Sequence, residues 1–283
     1  MKVVKILYLG VFFSCILSNA AELEVKETNE LDRLENFVLS FNKQLHINKQ
    51  LFNAISKGSL DDVKKSLENG ASLTSINLLK EYNTPLFAAI YAPITVNKIL
   101  IIELLLKKGA NPNDSDVKGK TPLSAALTLN EIVREESNQI PAIVKLLLDF
   151  GADVNKPSGD GYTPIMEARN RSTPDLINLL IKNGADVNAY EEEDASTALI
   201  QAAERADNVA VRALLSAGAD INHRDNEGET AYEVADRLCN AETAEIIKSW
   251  SEFMQKGIEK ELFEMGYSVN DLNKIISSYL FNL

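Results

Sequence analysis

The residue types that most often carry out chemistry are scarce and widely separated in this chain of 283 residues. The two histidines are His46 and His223, and the two cysteines are Cys15 and Cys239. None of them has the His-x-x-x-His or Cys-x-x-Cys spacing that holds a zinc ion. We therefore expect no metal site and no cofactor. We also expect Cys239 to be a buried, unreactive thiol, because no histidine is near it in sequence.

The remaining candidates for chemistry are a run of acids and a short segment that contains proline. Residues 191–194 read EEED, but calcium loops interleave glycine and asparagine among their acids, and this run has neither. A solvated turn is therefore the preferred interpretation. Residues 161–165 read GYTPI, without the serine that a nucleophile elbow requires. No motif predicts catalysis, so we do not expect an enzyme.

A repeated pattern dominates the sequence instead. The residues GADVN occur at 151–155 and again at 184–188, and GADIN occurs at 218–222. Weaker copies begin at Gly70 and Gly109. A threonine followed by proline or alanine recurs as Thr84, Thr121, Thr163, Thr197 and Thr230. The last three threonines are spaced by 34 and 33 residues, and a fixed period of this length is typical of a solenoid of stacked repeats.

The residues of this pattern suit the two ends of a pair of helices. Threonine is a good N-cap, worth about 1 kcal/mol, and proline fits the first helical position without losing a hydrogen bond. Alanine pairs follow at 88–89, 125–126 and 202–203, and they are small enough to let a neighbouring helix approach closely. Leucine pairs mark a second helix, and glycine ends it because glycine adopts the left-handed conformation at low cost.

The segments GKTPLSAA, GYTPIMEA and GETAYEVA, together with the GADVN ends, make the chain similar to ankyrin-repeat proteins. The resemblance extends over residues 48 to 250 and implies an all-α solenoid of about six helix-turn-helix units, with turns that project as fingers. The units are expected at about 48–78, 79–113, 114–156, 157–189, 190–223 and 224–250. Two units depart from the family pattern, because Tyr82 and Ala195 replace the turn glycine.

The same resemblance implies a function, which is to bind a partner protein on the concave face of the array without catalysing a reaction. Contacts are expected from residues that flank the turn glycines and from the end of each first helix. These residues are Tyr91, Lys118, Lys120, Asp160, Tyr162, Asn170, Arg171, Glu193, Asp194, Glu204, Arg205, Asn226 and Glu229. Tyrosine and arginine are enriched at binding hot spots, so the largest contributions are expected from Tyr91, Tyr162, Arg171 and Arg205.

The second and third units are longer than the fourth and fifth. Their threonine-to-glycine segments contain four and nine extra residues, around YAPITVNK and LNEIVREESNQIP. Longer helices or a solvated loop are the preferred interpretation. The alternative is a lobe that widens the contact surface.

Residues 1–20 have the pattern of a secretory signal peptide. Lysines at positions 2 and 5 precede an apolar run from Ile6 to Leu17, and small residues stand at 18 and 20. The run is shorter than the roughly 20 apolar residues of a transmembrane helix, although an uncleaved anchor remains an alternative. We therefore expect an exported protein, either periplasmic or secreted.

Two further segments flank the expected array. Residues 21–47 carry Leu31, Leu34, Val38, Phe41 and Leu45 on one helical face, and we expect a helix that covers the open end of the stack. A coiled-coil dimer seam is the alternative, but two heptads are few for one. Residues 251–283 are expected to form a helical cap or tail, including an amphipathic helix from Leu272 to Leu280.

The overall charge restricts the partners. The chain has 29 Lys+Arg against 41 Asp+Glu, whereas nucleic-acid binding requires clustered basic residues. We expect a monomer with no nucleic-acid partner and no membrane contact beyond a possible signal anchor.

Two alternatives to a scaffold remain. One is a secreted effector that targets a host protein through its repeats and recruits machinery through its tail, and the other is an enzyme with a site in the tail.

Overall fold

The computed structural model describes residues 28–74, 84–93, 95–129, 139–168 and 174–264. Some sequence expectations lie outside these ranges. They are the signal peptide at 1–20, Tyr82, most of LNEIVREESNQIP, Asn170, Arg171 and the amphipathic helix from Leu272 to Leu280.

Twelve helices occupy the described residues and form six successive pairs. They are α1 (Thr28–Lys57), α2 (Leu60–Glu68), α3 (Pro85–Tyr91), α4 (Lys98–Lys107), α5 (Pro122–Leu127), α6 (Gln139–Asp149), α7 (Pro164–Glu167), α8 (Pro174–Lys182), α9 (Ala198–Glu204), α10 (Asn208–Ser216), α11 (Ala231–Arg237) and α12 (Ala241–Glu264). A single antiparallel bridge between Tyr190 and Thr197 is the one β-type pairing in the described ranges. The predicted all-α solenoid is confirmed.

The helices stack in two layers. Each first helix, which carries an odd number, packs against the first helix of the next unit, and the second helices pack in the same way. The alanine pairs allow the close approach of the first helices, since Ala125, Ala126, Ala202 and Ala203 are completely buried. Larger side chains, such as Leu147 and Leu214, fill the second layer. The core is therefore a continuous band between the layers.

Threonine capping occurs as the sequence predicts, with one exception. The hydroxyls of Thr84, Thr121, Thr197 and Thr230 each accept a hydrogen bond from the amide three residues later. Thr163 makes no such bond, and within the described ranges its buried hydroxyl has no hydrogen-bond partner. The helix that Thr163 precedes, α7, is only four residues long.

The turn between the two helices of a unit requires a left-handed residue. Gly58, Ala206 and Cys239 hold this position, with φ of 66°, 54° and 60°. The amide after each of them donates to the carbonyl five residues earlier, as Asn240 does to Ala235 at 2.8 Å. The expectation of a buried Cys239 is wrong: its side chain is exposed, because the residue belongs to this turn and not to the packed face of α11.

The extra residues of the second unit form a loop that packs on the first unit. The Asn97 side chain donates to the Gly58 carbonyl at 3.0 Å, and a Cβ added to Gly58 would lie 2.6 Å from Thr95. The Lys98 side chain is buried and donates to the Ala92 carbonyl at 3.0 Å. This loop is therefore held against its neighbour and does not lengthen either helix of the unit.

Both ends of the array differ from the expected boundaries. Helix α1 passes through residue 47 without a break and α12 passes through residue 250, so each terminal segment continues a repeat helix. Among the side chains of α1 that the structure describes, the buried apolar ones lie in the last two turns and include Leu51 and Ile55. Phe41 and Leu45, expected to cover the stack, are exposed, because that part of α1 extends beyond the array.

The outer side of the first unit is polar. Gln50, Asn53, Lys57 and Lys65 line a shallow depression between α1 and α2 on this side. A terminal unit of a solenoid needs such a surface because no further unit covers it. The first unit therefore ends the stack with its own polar side chains.

Candidate protein-binding surface

Before α5, α7, α9 and α11, a finger joins the preceding second helix to the threonine of the next unit. In the finger before α5, Asp116 Oδ1 accepts hydrogen bonds from the amides of Lys118 and Lys120, both at 2.8 Å. Gly119 has φ 77° and completes the turn. Asp225 makes the same arrangement in the finger before α11. An aspartate and a left-handed residue therefore build these fingers.

The finger before α9 is built differently and is one residue longer. Glu191 takes the place of the aspartate, is only 3% exposed, and accepts hydrogen bonds from the amides of Glu193 (3.1 Å) and Asp194. Ala195 replaces the turn glycine and still has φ 53°. The left-handed turn thus forms without glycine, and the extra residue explains why Thr163 and Thr197 are 34 residues apart.

Neighbouring fingers touch through their backbones. A Cβ added to Gly159 would lie 1.8 Å from the Lys118 carbonyl oxygen, so only glycine allows this approach. Asn226 connects the last two fingers: its side chain donates to the Glu193 carbonyl at 2.6 Å, and its amide donates to the Asp194 carbonyl at 2.9 Å. These contacts fix the finger before α5 to the finger before α7, and the finger before α9 to the finger before α11.

A second set of bonds joins the bases of the fingers. Asn155 Nδ2 donates to the Gly184 carbonyl at 2.9 Å, and Asn155 Oδ1 accepts from the Asp186 amide at 2.8 Å. Asn113 makes the same two bonds to the following unit. Asn188 makes one of them, since its Oδ1 accepts from the Asp220 amide. We call these bonds the asparagine ladder. Sequence reasoning missed it, although the repeated asparagine that ends each GADVN motif was its signal.

Seven of the thirteen predicted partner-binding residues have exposed side chains. They are Lys118, Asp160, Glu193, Asp194, Glu204, Arg205 and Asn226. All of them lie on the fingers or at the end of α9. The fold therefore leaves these residues exposed on the fingers and at the C-terminal end of one first helix, where a partner could reach them.

The other six are placed differently. Lys120 donates to the Thr128 hydroxyl at 2.9 Å, and Glu229 is bound by the Arg237 guanidinium. Tyr91 and Tyr162 are half-buried against the core. Asn170 and Arg171 lie outside the described residues. These contacts give a structural role to Lys120, Glu229, Tyr91 and Tyr162, whatever they contribute to binding.

The charged groups around the last finger stabilise one another. Two short hydrogen bonds to Glu229, at 2.9 and 2.8 Å, raise the pKa of Arg237. The Glu233 carboxylate accepts the Thr230 amide at 2.7 Å and an Arg224 guanidinium N–H at 2.8 Å. The pKa of Glu233 is lowered from its ordinary 4.5, chiefly by the hydrogen bond from the Thr230 backbone.

An aromatic pair on the fingers was not anticipated. The Tyr190 and His223 rings stack with their centroids 5.6 Å apart, and His223 Nε2 lies 2.8 Å from the Ala195 carbonyl oxygen. Tyr190 remains largely exposed. The two residues belong to different fingers and follow different motif positions, so spacing alone gave no signal for their contact.

Two kinds of feature are absent from the described residues. No group of three or more His, Cys, Asp or Glu side chains there is placed to hold a metal ion. Among the described helices, none has the length and apolar character needed to cross a membrane.

Comparison with known proteins agrees with this architecture. The profile for ankyrin repeats in sets of three copies matches residues 101–191, 135–225 and 168–254, and the profile for a single ankyrin repeat matches residues 81–117. These matches together cover more than half of the chain. The chain belongs to the ankyrin-repeat family. Ankyrin repeats typically mediate protein–protein interaction, and the fold is typically a non-enzymatic scaffold.

Several known proteins share part of this array. Alpha-latrocrustotoxin-Lt1a of Latrodectus tredecimguttatus is 31% identical over 40% of this chain and 7% of its own length. A putative ankyrin repeat protein of Fowlpox virus, FPV031, is 29% identical over 55% of this chain and 42% of its own length. The phosphocholine transferase AnkX of Legionella pneumophila is 27% identical over 53% of this chain and 15% of its own length. The chain thus spans less than half of each relative.

Solved structures show the same fold. The ankyrin repeat protein EF0377 superposes with a TM-score of 0.61, covering 71% of this chain and 97% of that chain, at 24% sequence identity. The ankyrin repeat domain of Bcl-3 superposes with a TM-score of 0.60, covering 71% of this chain and 85% of that chain, also at 24% sequence identity.

Proposed function

We propose that this protein is a non-enzymatic scaffold that binds a partner protein along its row of fingers and the adjoining ends of the first helices. The observation that carries the proposal is the fixing of the fingers by backbone contacts at Gly159 and Asn226. Binding to a preorganised surface loses little conformational entropy. A partner could therefore be held by side chains that project from a rigid edge.

The exposed side chains of this edge suit a polar partner surface with one aromatic contact. Tyr190 and Arg205 supply the residue types that are enriched at hot spots, and Lys118, Asp160 and Glu193 surround them with charge. Tyr190 replaces Tyr162 as the aromatic residue that we expect to matter most, because Tyr162 is half-buried against the core. Replacement of Tyr162 would lower the stability of the array as well as its affinity for a partner.

The binding edge can be tested by capture of the natural partner. The wild-type chain and a variant with alanine at Lys118, Asp160, Tyr190, Glu193 and Arg205 would be used to purify proteins from the compartment in which the chain accumulates, followed by mass spectrometry. We expect a defined partner with wild type and at least a tenfold loss with the variant, because interface hot spots cost about 2 kcal/mol each when truncated.

A matched control places five alanines on the opposite layer. Lys145, Asp149, Asn178, Lys182 and Arg212 are exposed on the second helices, so their replacement should leave capture unchanged. Equal capture by both variants would contradict the proposed edge. Loss of capture by the control variant alone would assign binding to the second helices instead.

We further propose that the chain is exported. Support comes from the sequence of residues 1–20, with its two early lysines, apolar run and small residues at 18 and 20. Mass measurement of the accumulated chain is expected to show an N-terminus at Ala21, and an Ala20→Arg variant should retain the full length. Recovery of full-length wild type would contradict cleavage. Fractionation would also distinguish a periplasmic scaffold from the alternative, a secreted effector found outside the cell or in a host.

A further inference from the structure

The last helix of the array carries an exposed apolar pair. Ile246 of α12 is buried in the core, and Trp250, one turn later, is half-buried against it. One turn further on, Phe253 is 68% exposed and Met254 is 47% exposed. The Phe253 and Trp250 rings lie with their centroids 6.2 Å apart. Steps of three and four residues stay on one side of a helix, so the apolar side of α12 continues past the part that the array covers.

The sequence after α12 indicates what covers this pair. Helix α12 ends at Glu264, and Gly266 stands two positions later, where glycine commonly terminates a helix. Ser268 and Asp271 have the spacing of a capping box, which predicts the start of a new helix. Residues 265–268 would be the whole connection between the two helices. Helices joined by so short a connection pack antiparallel to each other.

The segment after this connection has an apolar side of its own. Leu272, Ile275, Ile276, Tyr279 and Leu280 follow the spacing of a single helical face. An isolated helix of about 15 residues is marginal in water, so this segment needs a surface on which to pack. A short tether holds the segment beside α12 at an effective concentration of the order of millimolar. The tethered segment is therefore favoured over a separate molecule with the same apolar surface.

We propose that residues 269–283 form a helix that packs antiparallel on α12 and covers Phe253 and Met254. The segment is long enough to do so, because a helix of these fifteen residues is about 22 Å long, whereas Glu264 and Phe253 are about 16 Å apart along the axis of α12. The proposal assigns the segment to the array itself and does not depend on the partner that the fingers bind.

The register of this pair follows from the position of the connection. Counted symmetrically from residues 265–268, Tyr279 is level with Met254, and the next residue along the chain is level with Phe253. Ile276 is level with Gly257, which lies inside α12. Glycine costs about 1 kcal/mol relative to alanine in a helix interior, but it has no side chain to obstruct the approach of a second helix.

The fluorescence of Trp250 tests whether the segment covers this site. Trp250 is the one tryptophan of the chain. In the full chain, Ile276→Glu together with Tyr279→Glu is expected to shift its emission to longer wavelength and to increase its quenching by acrylamide, because the packed helix is released. Unchanged emission and quenching would overturn the proposal.

A matched control adds the same charge to the opposite side of the segment. Ser277→Glu together with Ser278→Glu introduces two carboxylates away from the apolar face, so the Trp250 signal should equal that of the wild type. An equal response to both pairs of substitutions would also overturn the proposal, since it would reflect charge and not the packing of the apolar face.

Disulfide formation tests the antiparallel register. In a chain whose Cys15 and Cys239 are replaced by serine, Met254→Cys with Tyr279→Cys is expected to give an intramolecular disulfide under mild oxidation, identified by peptide mass spectrometry. The control combines Met254→Cys with Leu272→Cys. Residue 272 lies about 10 Å from residue 279 along the new helix, more than the roughly 7 Å that a disulfide spans between Cα atoms, so little linkage is expected there.

Each other occupant of the α12 face gives a different result. Equal linkage at residues 272 and 279 would show a segment that is not packed in this register, and it would overturn the proposal. A link between two chains would assign the face to a second copy and would overturn it as well. Absence of any link would leave the face to a separate partner. Loss of partner capture with these results unchanged would affect the proposed function alone.

Discussion

At the scale of single residues, the asparagine ladder shows how one side chain connects two units. The Asn155 amide group donates to one backbone group of the next unit and accepts from another. A backbone carbonyl and a backbone amide near the end of a second helix are thereby both paired. Such side-chain bonds to orphan groups at helix ends typically contribute about 1 kcal/mol each.

Replacement of Asn155 by alanine should therefore destabilise the array. We expect the free energy of unfolding to fall by about 1–2 kcal/mol, measured by urea denaturation. Asn222→Ala is the matched control, because Asn222 ends the last GADIN motif and, among the described residues, its side chain makes no bond to a following unit. Equal losses in the two variants would contradict the role assigned to the ladder.

At the scale of helices, the capping threonines separate into two kinds. Thr121 is buried and its hydroxyl accepts the Ser124 amide at 3.1 Å, whereas the buried Thr163 hydroxyl has no hydrogen-bond partner among the described residues. An unsatisfied buried hydroxyl costs free energy, while a satisfied cap gains it. The same residue type at the same motif position thus has opposite effects on stability.

Substitution by valine, which has nearly the same shape as threonine, should reveal this difference. Thr121→Val is expected to lower the free energy of unfolding by about 1–2 kcal/mol, since a cap is lost and an amide is left unpaired. Thr163→Val is expected to be neutral or slightly stabilising. Thermal and urea unfolding of the two variants would check this, and a loss at position 163 as large as that at 121 would show that Thr163 does form a cap.

Helix α11 has a capping box whose strength should depend on pH. The pKa of Glu233 is lowered from 4.5 in the folded protein, so its carboxylate contributes stability above about pH 4.5, and this contribution is lost as pH falls through the lower folded-state pKa. Its side chain is 44% exposed, so screening limits the contribution to less than about 1 kcal/mol.

A Glu233→Gln variant tests this pH dependence. Glutamine keeps the hydrogen bond to the Thr230 amide but loses the charge that attracts Arg224. We expect wild type to be more stable than the variant at neutral pH, and the difference in unfolding free energy to shrink toward zero in acid. A difference that grows as pH falls would mean that the pKa is raised instead.

At the scale of the whole molecule, stability comes from contacts between neighbouring units. In the described part of the chain, the helices of each unit pack on those of the unit before and the unit after it, so the array behaves as a chain of nearest-neighbour interfaces. The contact between the fingers before α5 and α7 is tight, because the backbone of Gly159 lies against Lys118 and Gly119. A substitution that disrupts this contact should therefore allow the units before it and the units after it to unfold separately.

Gly159→Ala is predicted to weaken this interface strongly. The new Cβ would lie 1.8 Å from a carbonyl oxygen, and steric strain in a packed backbone costs about 2–4 kcal/mol. We expect one cooperative unfolding transition to become two, measured by calorimetry and hydrogen exchange. The control is Gly151→Ala, a position with φ 84° and no atom near the new Cβ, where the left-handed conformation alone should cost about 1–2 kcal/mol and cooperativity should persist.

The sequence by itself determined the local elements of this protein. Threonine, proline, alanine pairs and glycine act on the backbone within a few residues of themselves, so the helix starts, the helix ends and the repeat period could be predicted. The predicted solenoid followed from them. The exposure of finger residues such as Lys118 and Asp160 was also predictable because they flank the turns.

Only the tertiary structure decided which side chains were free to bind and which were held. Glu229 bonds to Arg237 and Tyr162 packs on the core, and the partners of both depend on how helices and fingers stack. Phe41 and Leu45 of α1 have the apolar spacing of a buried face, yet the array ends before reaching them. Spacing determines which residues share a face, but burial depends on what the rest of the chain places against that face.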